Sequence, residues 1–391
     1  MPVEQRMAQG RETDWGNWRW QQRAAVRTTE ELLKVFPGLS KGQAEQIDRH
    51  SKTMRFQVTR HFLSLVERTP EGAPSPEDPL WRQVLPTDAD AATPSSYRYD
   101  GTENWELPSE MVTPIAQHKY DDRVIVRAAN ICHSYCQFCY EALRTLEKES
   151  EKSAFNLSHW DDTLDYLREH PEIQEVILSG GEPLMQSDEQ LGRLLGDLRA
   201  LPRPLAIRIH TRALAFNPFR ITDDLCAVMS EHGVTAVGLH ATHVNELGPD
   251  FVDAVRRLRR EVPVLFANIP LLRGVNDSAE EIHELSMTLY MHGVARGYLY
   301  HFMPHSPGAE RFRTPVWTGV EITRALKRRV SNLAVPEFVL PHHGGKHTMP
   351  LLAPDEQPPR RGTTETGDEV VRFLNWQDEK IEYPDPPVAA V

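Results

Sequence analysis

Short apolar runs alternate with amphipathic segments along the middle of the chain, from residue 123 to residue 333. Strands that are apolar throughout and separated by helices are typical of a parallel sheet covered on both faces. The pattern therefore predicts six βα units. Their strands are RVIVRAA, EVILSG, LAIRIHT, AVGLHA, VLFANIP and GYLYHFM, and their helices are SHWDDTLDYLREH, SDEQLGRLLGDLRAL, ITDDLCAVMSEHG, GPDFVDAVRRLRREV, SAEEIHELSMTLYMHG and GVEITRALKRRVSNL.

The segments on either side of this repeat have other patterns. Helical spacing in TTEELLKVF and SKGQAEQIDRH, each with Ser or Thr at the capping position, predicts a helical and irregular region over residues 1–120. Pro and acidic residues between about 68 and 114 indicate a long connection there. Further on, VPEFVLPHHGGKHTMPLL ends near a Gly-Lys turn, VVRFLNW predicts a closing strand and YPDPPVAAV a mobile tail.

Composition and charge narrow the class of protein. The 391 residues are 40% hydrophobic and 26% charged, as in globular proteins, and the net charge of -12 argues against nucleic acid or an anionic membrane as partner. A small molecule is the expected partner. No stretch approaches the roughly 18 apolar residues of a membrane span, and the amino terminus lacks the apolar centre of a signal peptide. We therefore expect a cytoplasmic protein.

The βα repeat limits where functional residues are expected. Periodicity does not choose between a doubly wound open sheet, a closed barrel and a partial barrel, although six units are two short of the eight in a closed barrel. In each of these folds, functional residues lie at the carboxyl ends of the strands. Segments rich in reactive residues follow the predicted strands directly: CHSYCQFC, SGGEP, HTR, HATH, NIP and HFMPH.

Three of the four cysteines, Cys132, Cys136 and Cys139, lie together in the loop after the first predicted strand. Three thiolates at this spacing suit an iron–sulfur cluster, and three ligands leave one iron of a four-iron cluster open to a small molecule. A structural zinc site completed by a histidine such as His133 stays open as the alternative. The fourth cysteine, Cys226, falls inside a helical pattern and is expected to be a buried apolar side chain.

The C-x3-C-x2-C spacing, with Phe138 before the last cysteine, resembles the signature of the radical S-adenosylmethionine superfamily. The resemblance implies the partial (βα)6 TIM-like barrel over residues 121–335. It also implies that the open iron holds S-adenosylmethionine, which one electron from a flavodoxin- or ferredoxin-type donor splits to a 5′-deoxyadenosyl radical. By the same resemblance, SGGEP receives the amino group of S-adenosylmethionine through Gly180, Gly181 and Glu182.

Further stretches occur in the same order as in the lysine 2,3-aminomutase family and resemble it over most of the chain. They are WGNWRWQQR, YDDRVIV, SGGEPLMQSD, IRIHTRALAFNPFRIT, LHATHVNE, LLRGVND, ERFRTPV, VPEFVL and GGKHTMP. This resemblance implies that Lys346, in an extension over residues 336–391, binds pyridoxal 5′-phosphate through a Schiff base. It also implies that Lys119 and Arg123 anchor the phosphate, His240 lies near the adenosine and Asn268 contacts the cofactors.

The resemblance breaks at the positions that read the substrate. Where the lysine enzymes have an arginine for the substrate carboxylate, this chain has Glu141, so either Arg144 takes that role or Glu141 meets a cationic group of another substrate. The two aspartates that read the distal ammonium of lysine also have no match. Residues near those places are Met303, Pro304 or Pro341. His305 and His342 suggest a polar or anionic substrate side chain, and no cysteine follows Cys226 to bind the family's structural zinc.

These observations predict an amino-acid 2,3-aminomutase, which moves an amino group from the α- to the β-carbon of an amino acid other than free lysine. Its family tends to form homo-oligomers. One alternative is a radical S-adenosylmethionine enzyme of the same fold that catalyses another radical reaction on an amine or amino acid. The second alternative is a non-catalytic iron–sulfur or zinc-binding protein.

Overall fold

The computed structural model describes residues 12–52, 54–86, 107–141, 157–303, 308–342, 344–352, 358–374 and 379–385. The β-strands in these ranges are β1 Met111–Thr113, β2 Ala116–Tyr120, β3 Arg123–Ala129, β4 Glu175–Gly180, β5 Ala206–Thr211, β6 Ala236–His240, β7 Val264–Pro270, β8 Ala295–Tyr300, β9 Glu337–His342, β10 Gly345–Thr348, β11 Arg360–Thr363, β12 Glu369–Leu374 and β13 Lys380–Pro384.

The α-helices of the same ranges are α1 Glu12–Trp15, α2 Trp18–Arg23, α3 Thr29–Val35, α4 Lys41–His50, α5 Arg60–Leu65, α6 Pro79–Val84, α7 Trp160–Glu169, α8 Asp188–Arg199, α9 Ala213–Phe216, α10 Asp223–Glu231, α11 Pro249–Glu261, α12 Ala279–Met291, α13 Ala309–Phe312 and α14 Val316–Arg329. Short 3₁₀ turns cover Pro108–Glu110, Leu157–His159, Pro183–Met185, Pro218–Arg220 and Val244–Glu246. No helix of the described residues is both long and apolar enough to cross a membrane.

Ten of these strands form one sheet in the order β1 to β10. The strands from β3 to β9 pair in parallel, and antiparallel pairs extend the sheet at both ends. Strands β3 to β8 are the six predicted strands, and the six predicted helices follow them, so the partial TIM-like barrel is confirmed. Within the described residues β1 and β10 pair only with β2 and β9, so the barrel stays open.

Helix α8 illustrates how each unit covers the sheet. Ser187 caps it and shares a capping box with Gln190, which satisfies the backbone N–H groups that begin the helix. Its leucines recur at helical spacing and are buried in the main core, so the helix packs one apolar face on the strands. Cys226 of α10 is also buried in this core, as expected of an apolar side chain.

The strands carry different residues on their two faces, because successive side chains point to opposite sides of a sheet. Val124, Val126 and Ala128 of β3 belong to the core shared with the helices. The alternate positions of β3, β4, β5 and β8 face the barrel interior, and many of them are polar: Arg123, Arg127, Glu175, Ser179, Arg208, His210, Tyr298 and Tyr300. The sequence pattern predicted strands that are apolar on both faces, but their interior face carries many polar side chains.

The region before the barrel has its own apolar core, which also includes Phe216 of α9. Helices α3 and α4 match the two predicted helices, and each begins with a capping box. The long connection predicted over residues 68–114 is partly wrong. Asp78 and Pro79, which read as loop residues, are the N-cap and first residue of α6, whose Trp81 is fully buried. Strands β1 and β2 were also missed in this region.

The carboxy-terminal segments form two structures. Strands β9 and β10 are a hairpin on the edge of the main sheet, and β10 carries the Gly-Lys sequence. Strand β12 coincides with the predicted closing strand, but it pairs with β11 and β13 in a separate three-stranded sheet. The predicted strand is therefore present, and it lies outside the main sheet. Tyr383 and Pro384, expected in a mobile tail, lie in β13.

Candidate active site

The three clustered cysteines lie in the loop at residues 130–141, here called the cysteine loop, directly after β3. Cys132, Cys136 and Cys139 are free thiols of intermediate exposure. Burial raises the pKa of Cys132 well above its usual range, and the charges of Cys139, Glu182 and Cys136 raise it further. Cys132 and Cys139 both pack against Tyr135, and Cys136 packs against the amino-terminal core. The three thiols thus project from one short loop.

The amino-terminal region holds the backbone of the cysteine loop. The side-chain amide of Gln57 donates to the carbonyl oxygens of Cys132, at 3.1 Å, and His133, at 2.8 Å. In return, the N–H of Tyr135 donates to the carbonyl of Gln57 at 2.9 Å, and Cys136 packs against the amino-terminal core. The helical region is therefore part of the site, because it fixes the loop from which the thiols project.

The glycines of SGGEP allow this turn to approach the cysteine loop closely. Gly180 has φ = 111°, and a Cβ there would lie 2.5 Å from the carbonyl oxygen of Ala129. A Cβ at Gly181 would lie 2.6 Å from the carbonyl oxygen of Ile131. The N–H of Gly181 donates to Ala129 at 2.6 Å, and that of Glu182 donates to Ile131 at 2.9 Å. Any side chain at either glycine would separate the two loops.

The carboxylate of Glu182 joins the ends of neighbouring strands. It accepts hydrogen bonds from the N–H of Leu184 at 3.0 Å, the hydroxyl of Thr211 at 2.7 Å and the N–H of Arg212 at 2.8 Å. Burial raises its pKa, and these hydrogen bonds oppose that change. Both carboxylate oxygens thus bond to the protein itself, and Glu182 fixes the turn through its side chain.

Lys346 lies on β10 beside a group of tyrosines. Its Nζ is 5.2 Å from the ring centre of Tyr120, 5.6 Å from that of Tyr298 and 5.9 Å from that of Tyr300. The backbone N–H of Lys346 donates a hydrogen bond to the hydroxyl of Tyr120 at 3.0 Å. Burial, assisted by the charges of nearby arginines and Lys119, lowers the pKa of Lys346 from 10.5 to about 8. A large fraction of this amine is neutral near pH 8, as a nucleophile requires.

The expected phosphate-anchoring cations lie near Lys346, since both lower its pKa. Each has a carboxylate partner: Lys119 bonds Glu110 at 2.7 Å, and Arg123 bonds Asp122 at 2.7 Å. The guanidinium of Arg123 also lies 4.1 Å from the ring centre of Tyr120. The two cations suit an anionic group, although a phosphate would share them with these carboxylates.

His240 and Asn268 are neighbours across β6 and β7. Burial, with a contribution from Arg212, lowers the pKa of His240 to about 4, so its ring is neutral at physiological pH. The ring centre of His240 is 5.5 Å from that of His210. The side chain of Asn268 is buried and accepts a hydrogen bond from the N–H of Tyr298 at 3.4 Å. Both residues therefore lie at the carboxyl end of the barrel, where the sequence placed them.

The candidate substrate residues have different outcomes. Glu141 forms a buried ion pair with Arg127 at 3.1 Å, so its charge is already balanced within the protein. Arg144 and His305 lie outside the described residues. His342 is exposed in the β9–β10 hairpin, where its ring accepts the N–H of Gly344 at 3.2 Å. No local pattern predicts the Glu141–Arg127 pair, because its members lie 14 residues apart in different structural elements.

The geometry bears on the zinc alternative as well. The ring of His133 is buried and lies 3.3 Å from the side-chain nitrogen of Asn217. Burial lowers its pKa to about 3. Across the described ranges, no three His, Cys, Asp or Glu side chains are grouped to hold a single metal ion. A structural zinc site needs four ligands around one ion, whereas an iron–sulfur cluster takes one thiolate at each of separate irons, and the cysteine loop supplies three thiols.

A partial barrel of six βα units, with three clustered thiols after its first strand and a glycine turn packed on them, defines a radical S-adenosylmethionine enzyme. The sequence profile of the Radical SAM superfamily matches residues 126–286. The chain is 32% identical to L-lysine 2,3-aminomutase of Clostridium subterminale over 87% of this chain and 79% of that protein. It is 32% identical to the putative L-lysine 2,3-aminomutase of Aquifex aeolicus over 94% and 95% of the two chains.

Two further proteins resemble this chain at lower sequence identity. Glutamate 2,3-aminomutase of Clostridioides difficile is 27% identical over 98% of this chain and 86% of that protein. A solved structure of coproporphyrinogen III oxidase from Escherichia coli has a TM-score of 0.38 at 15% identity, covering 60% of this chain and 57% of that one. The chain belongs to the lysine 2,3-aminomutase family. It is a radical S-adenosylmethionine isomerase whose cofactors are a [4Fe–4S] cluster, S-adenosylmethionine and pyridoxal 5′-phosphate.

Proposed function

We propose that this enzyme is a 2,3-aminomutase whose substrate is an amino acid other than free lysine. The similar proteins include enzymes named for lysine and for glutamate, so membership of the family leaves the substrate side chain open. When bound, the cluster and S-adenosylmethionine supply a carbon radical, and pyridoxal 5′-phosphate holds the amino group that migrates. The protein must hold these groups at the right distance and orientation for reaction and must exclude water from them.

The proposed ligands form two layers along the barrel. Cys132, Cys136 and Cys139 hold the cluster, and the S-adenosylmethionine site consists of Gly180, Gly181, Glu182, His240 and Asn268 at the carboxyl ends of the strands. Lys346 binds pyridoxal 5′-phosphate, with Lys119 and Arg123 at its phosphate. Support for the second layer is the lowered pKa of Lys346, about 8, together with the tyrosine rings that shield its amine from water.

Arg127 lies between these two layers. It is four residues along β3 from Arg123, towards the cysteine loop, and its strand neighbour on β4 is Ser179. Its guanidinium is buried against Glu141, which fixes its direction. We propose that Arg127 takes the place of the arginine that Glu141 replaces and binds the substrate carboxylate, because guanidinium and carboxylate groups match in charge and shape.

The observation that supports a substrate other than lysine is that the carboxylates around Lys346 and Arg127 are paired. Four carboxylates near Lys346 and Arg127 each bond an arginine or lysine of the same chain. The pairs are Glu110–Lys119, Asp122–Arg123, Glu141–Arg127 and Glu175–Arg208. A second ammonium group on the substrate would have to displace a cation to bind any of these four carboxylates. A neutral or acidic substrate side chain avoids that cost.

The test is anaerobic incubation of the reconstituted protein with S-adenosylmethionine, dithionite, pyridoxal 5′-phosphate and a panel of amino acids. Mass spectrometry and isomer-resolving chromatography would measure the β-amino products, and boiled enzyme is the control. We expect an isomer from a neutral or acidic amino acid. Conversion of lysine to β-lysine faster than that of every other amino acid would contradict the proposal. Formation of 5′-deoxyadenosine without any isomer would favour the other radical reaction.

The cellular setting is proposed on chemical grounds. A cluster bound by three thiolates needs reduced cysteines, which the cytoplasm maintains, so we propose that the enzyme works there. A flavodoxin- or ferredoxin-type protein is the proposed electron donor. The test is whether such a donor reduces the cluster of the purified enzyme. High salt should slow this reduction if the two proteins bind through charged surfaces.

A further inference from the structure

Arg212, the first residue after β5, contacts one of the clustered thiols. One terminal nitrogen of its guanidinium donates to the sulfur of Cys136 at 3.4 Å. The other donates to a carboxylate oxygen of Glu246 at 3.0 Å and to the side-chain oxygen of Gln83. The side chain is 9% exposed. Arg212 thus places a positive charge directly on a thiol of the cysteine loop.

The surroundings of Arg212 hold it in a single position. The ring centres of Phe138 and Phe216 lie 4.9 Å and 4.7 Å from the guanidinium carbon. Glu246 is fully buried and also accepts hydrogen bonds from Gln83, at 3.1 Å, and from the N–H of Thr242, also at 3.1 Å. The charge pair is therefore enclosed in protein, where electrostatic interactions are stronger than in water.

The main chain of Arg212 has a separate role. Its N–H donates to Glu182 in the SGGEP turn, at 2.8 Å, whereas its side chain points to the cysteine loop and Glu246. A change of the side chain leaves the N–H in place. The electrostatic contribution of Arg212 can therefore be tested separately from the anchoring of the turn.

We propose that Arg212 is a positioning residue that raises the reduction potential of the cluster, and that Glu246 limits this effect. The inference rests on the proposed role of the three cysteines as cluster ligands. One electron passes from an external donor of ferredoxin or flavodoxin type to the cluster, and no bond forms or breaks in that step. The donor is oxidised by one electron, and the cluster gains one negative charge. A hydrogen bond and a positive charge at Cys136 stabilise that added charge.

The test compares two substitutions that change the local charge in opposite directions. Each reconstituted protein is titrated anaerobically with redox dyes, and the reduced cluster is measured by electron paramagnetic resonance. Arg212→Gln should lower the ratio of reduced to oxidised cluster about tenfold at a fixed potential, which equals a negative shift of about 59 mV for one electron. Glu246→Gln should shift the potential in the positive direction, because the guanidinium then lacks its balancing carboxylate.

Two further variants separate electrostatics from folding. Arg212→Lys keeps the charge but loses the planar fork, so its potential should fall between those of the wild type and Arg212→Gln. Arg220→Gln is the matched control: Arg220 is a fully buried arginine, but it bonds Asp188 and the carbonyls of Leu184 and Gln186 instead of a cysteine. Its variant should lower the melting temperature and leave the potential unchanged.

The outcomes distinguish this inference from the proposed function. A wild-type protein that cannot hold a four-iron cluster would overturn both. Two results would overturn only the role of Arg212 while the wild-type enzyme is active. One is an equal reduction potential in the wild type and all variants, and the other is a shift of Arg212→Gln and Glu246→Gln in the same direction. Should Arg212→Gln fail to retain iron, the opposite shifts expected of Arg212→Lys and Glu246→Gln decide the question.

Discussion

The cysteine loop and the surroundings of Lys346 are built from different interactions. Main-chain hydrogen bonds, close glycine contacts and a neighbouring apolar core fix the cysteine loop at the carboxyl ends of the strands. Lys346 instead lies beside residues that open strands, such as Arg123 and Arg208, and its neighbours are side-chain ion pairs and tyrosines. A side-chain substitution near Lys346 can therefore change one ion pair at a time, whereas a substitution at Gly180 or Gly181 changes how two loops pack.

The largest expected effect lies in the cysteine loop. Cys136→Ala removes one of the three proposed ligands, and we expect loss of the brown colour, of about four iron and four sulfide per chain, and of all isomerase activity. Iron and sulfide analysis after anaerobic reconstitution measures this. Cys226→Ala is the matched control, because that cysteine is buried in the main core and should retain full iron content. Equal loss of iron in both variants would contradict the assignment.

Lys346→Ala should separate the two regions. The variant lacks the amine that we propose attaches pyridoxal 5′-phosphate, so we expect activity to fall on the order of 10³-fold or more. The cluster should remain, since Lys346 is not part of the cysteine loop. Absorbance of the bound cofactor, before and after borohydride, measures attachment, and iron analysis measures the cluster. Retained borohydride-stable attachment in the variant would show that another amine binds the cofactor.

The sequence predicted these two regions unequally. The six βα units follow from local alternation and capping, and the cysteine and glycine motifs are contiguous in the chain. The pair of Glu141 with Arg127 was not predictable, because it depends on where two side chains meet in the folded barrel. The helix that begins at Asp78 was missed for another reason, since Asp-Pro is equally typical of a turn and of a helix start. The partners of β12 likewise depend on contacts between distant segments.

A smaller effect is expected from the buried pair near the cysteine loop. Glu141→Gln removes the carboxylate that pairs with the buried Arg127, so the free energy of unfolding should fall by about 3 kcal/mol. Glu175→Gln breaks the pair with Arg208, which is partly exposed, and should cost about 1 kcal/mol. Denaturant unfolding of the two variants measures the difference. An equal loss of unfolding free energy in the two variants would mean that burial does not strengthen the Glu141–Arg127 pair.

The same pair also gives a test of substrate binding. Arg127→Lys keeps a positive charge but loses the planar fork, so KM for the amino-acid substrate should rise about tenfold with kcat less affected. Kinetics with the substrate identified by the amino-acid panel measures this. An unchanged KM would remove Arg127 from the proposed carboxylate site and leave it as a structural partner of Glu141.

The smallest effect concerns protonation of Lys346. Its pKa lies near 8 in the folded protein because burial and neighbouring cations disfavour the charged form, so the amine becomes reactive as pH rises through 8 instead of 10.5. Acetic anhydride labelling of cofactor-free protein across pH, read by peptide mass spectrometry, measures the midpoint. Arg208→Gln removes one of those cations and leaves Glu175 unpaired, so the midpoint should move upward by about one unit. A wild-type midpoint near 10.5 would mean that the amine is exposed to water, and the tyrosine enclosure would then have no role in preparing Lys346 for its cofactor.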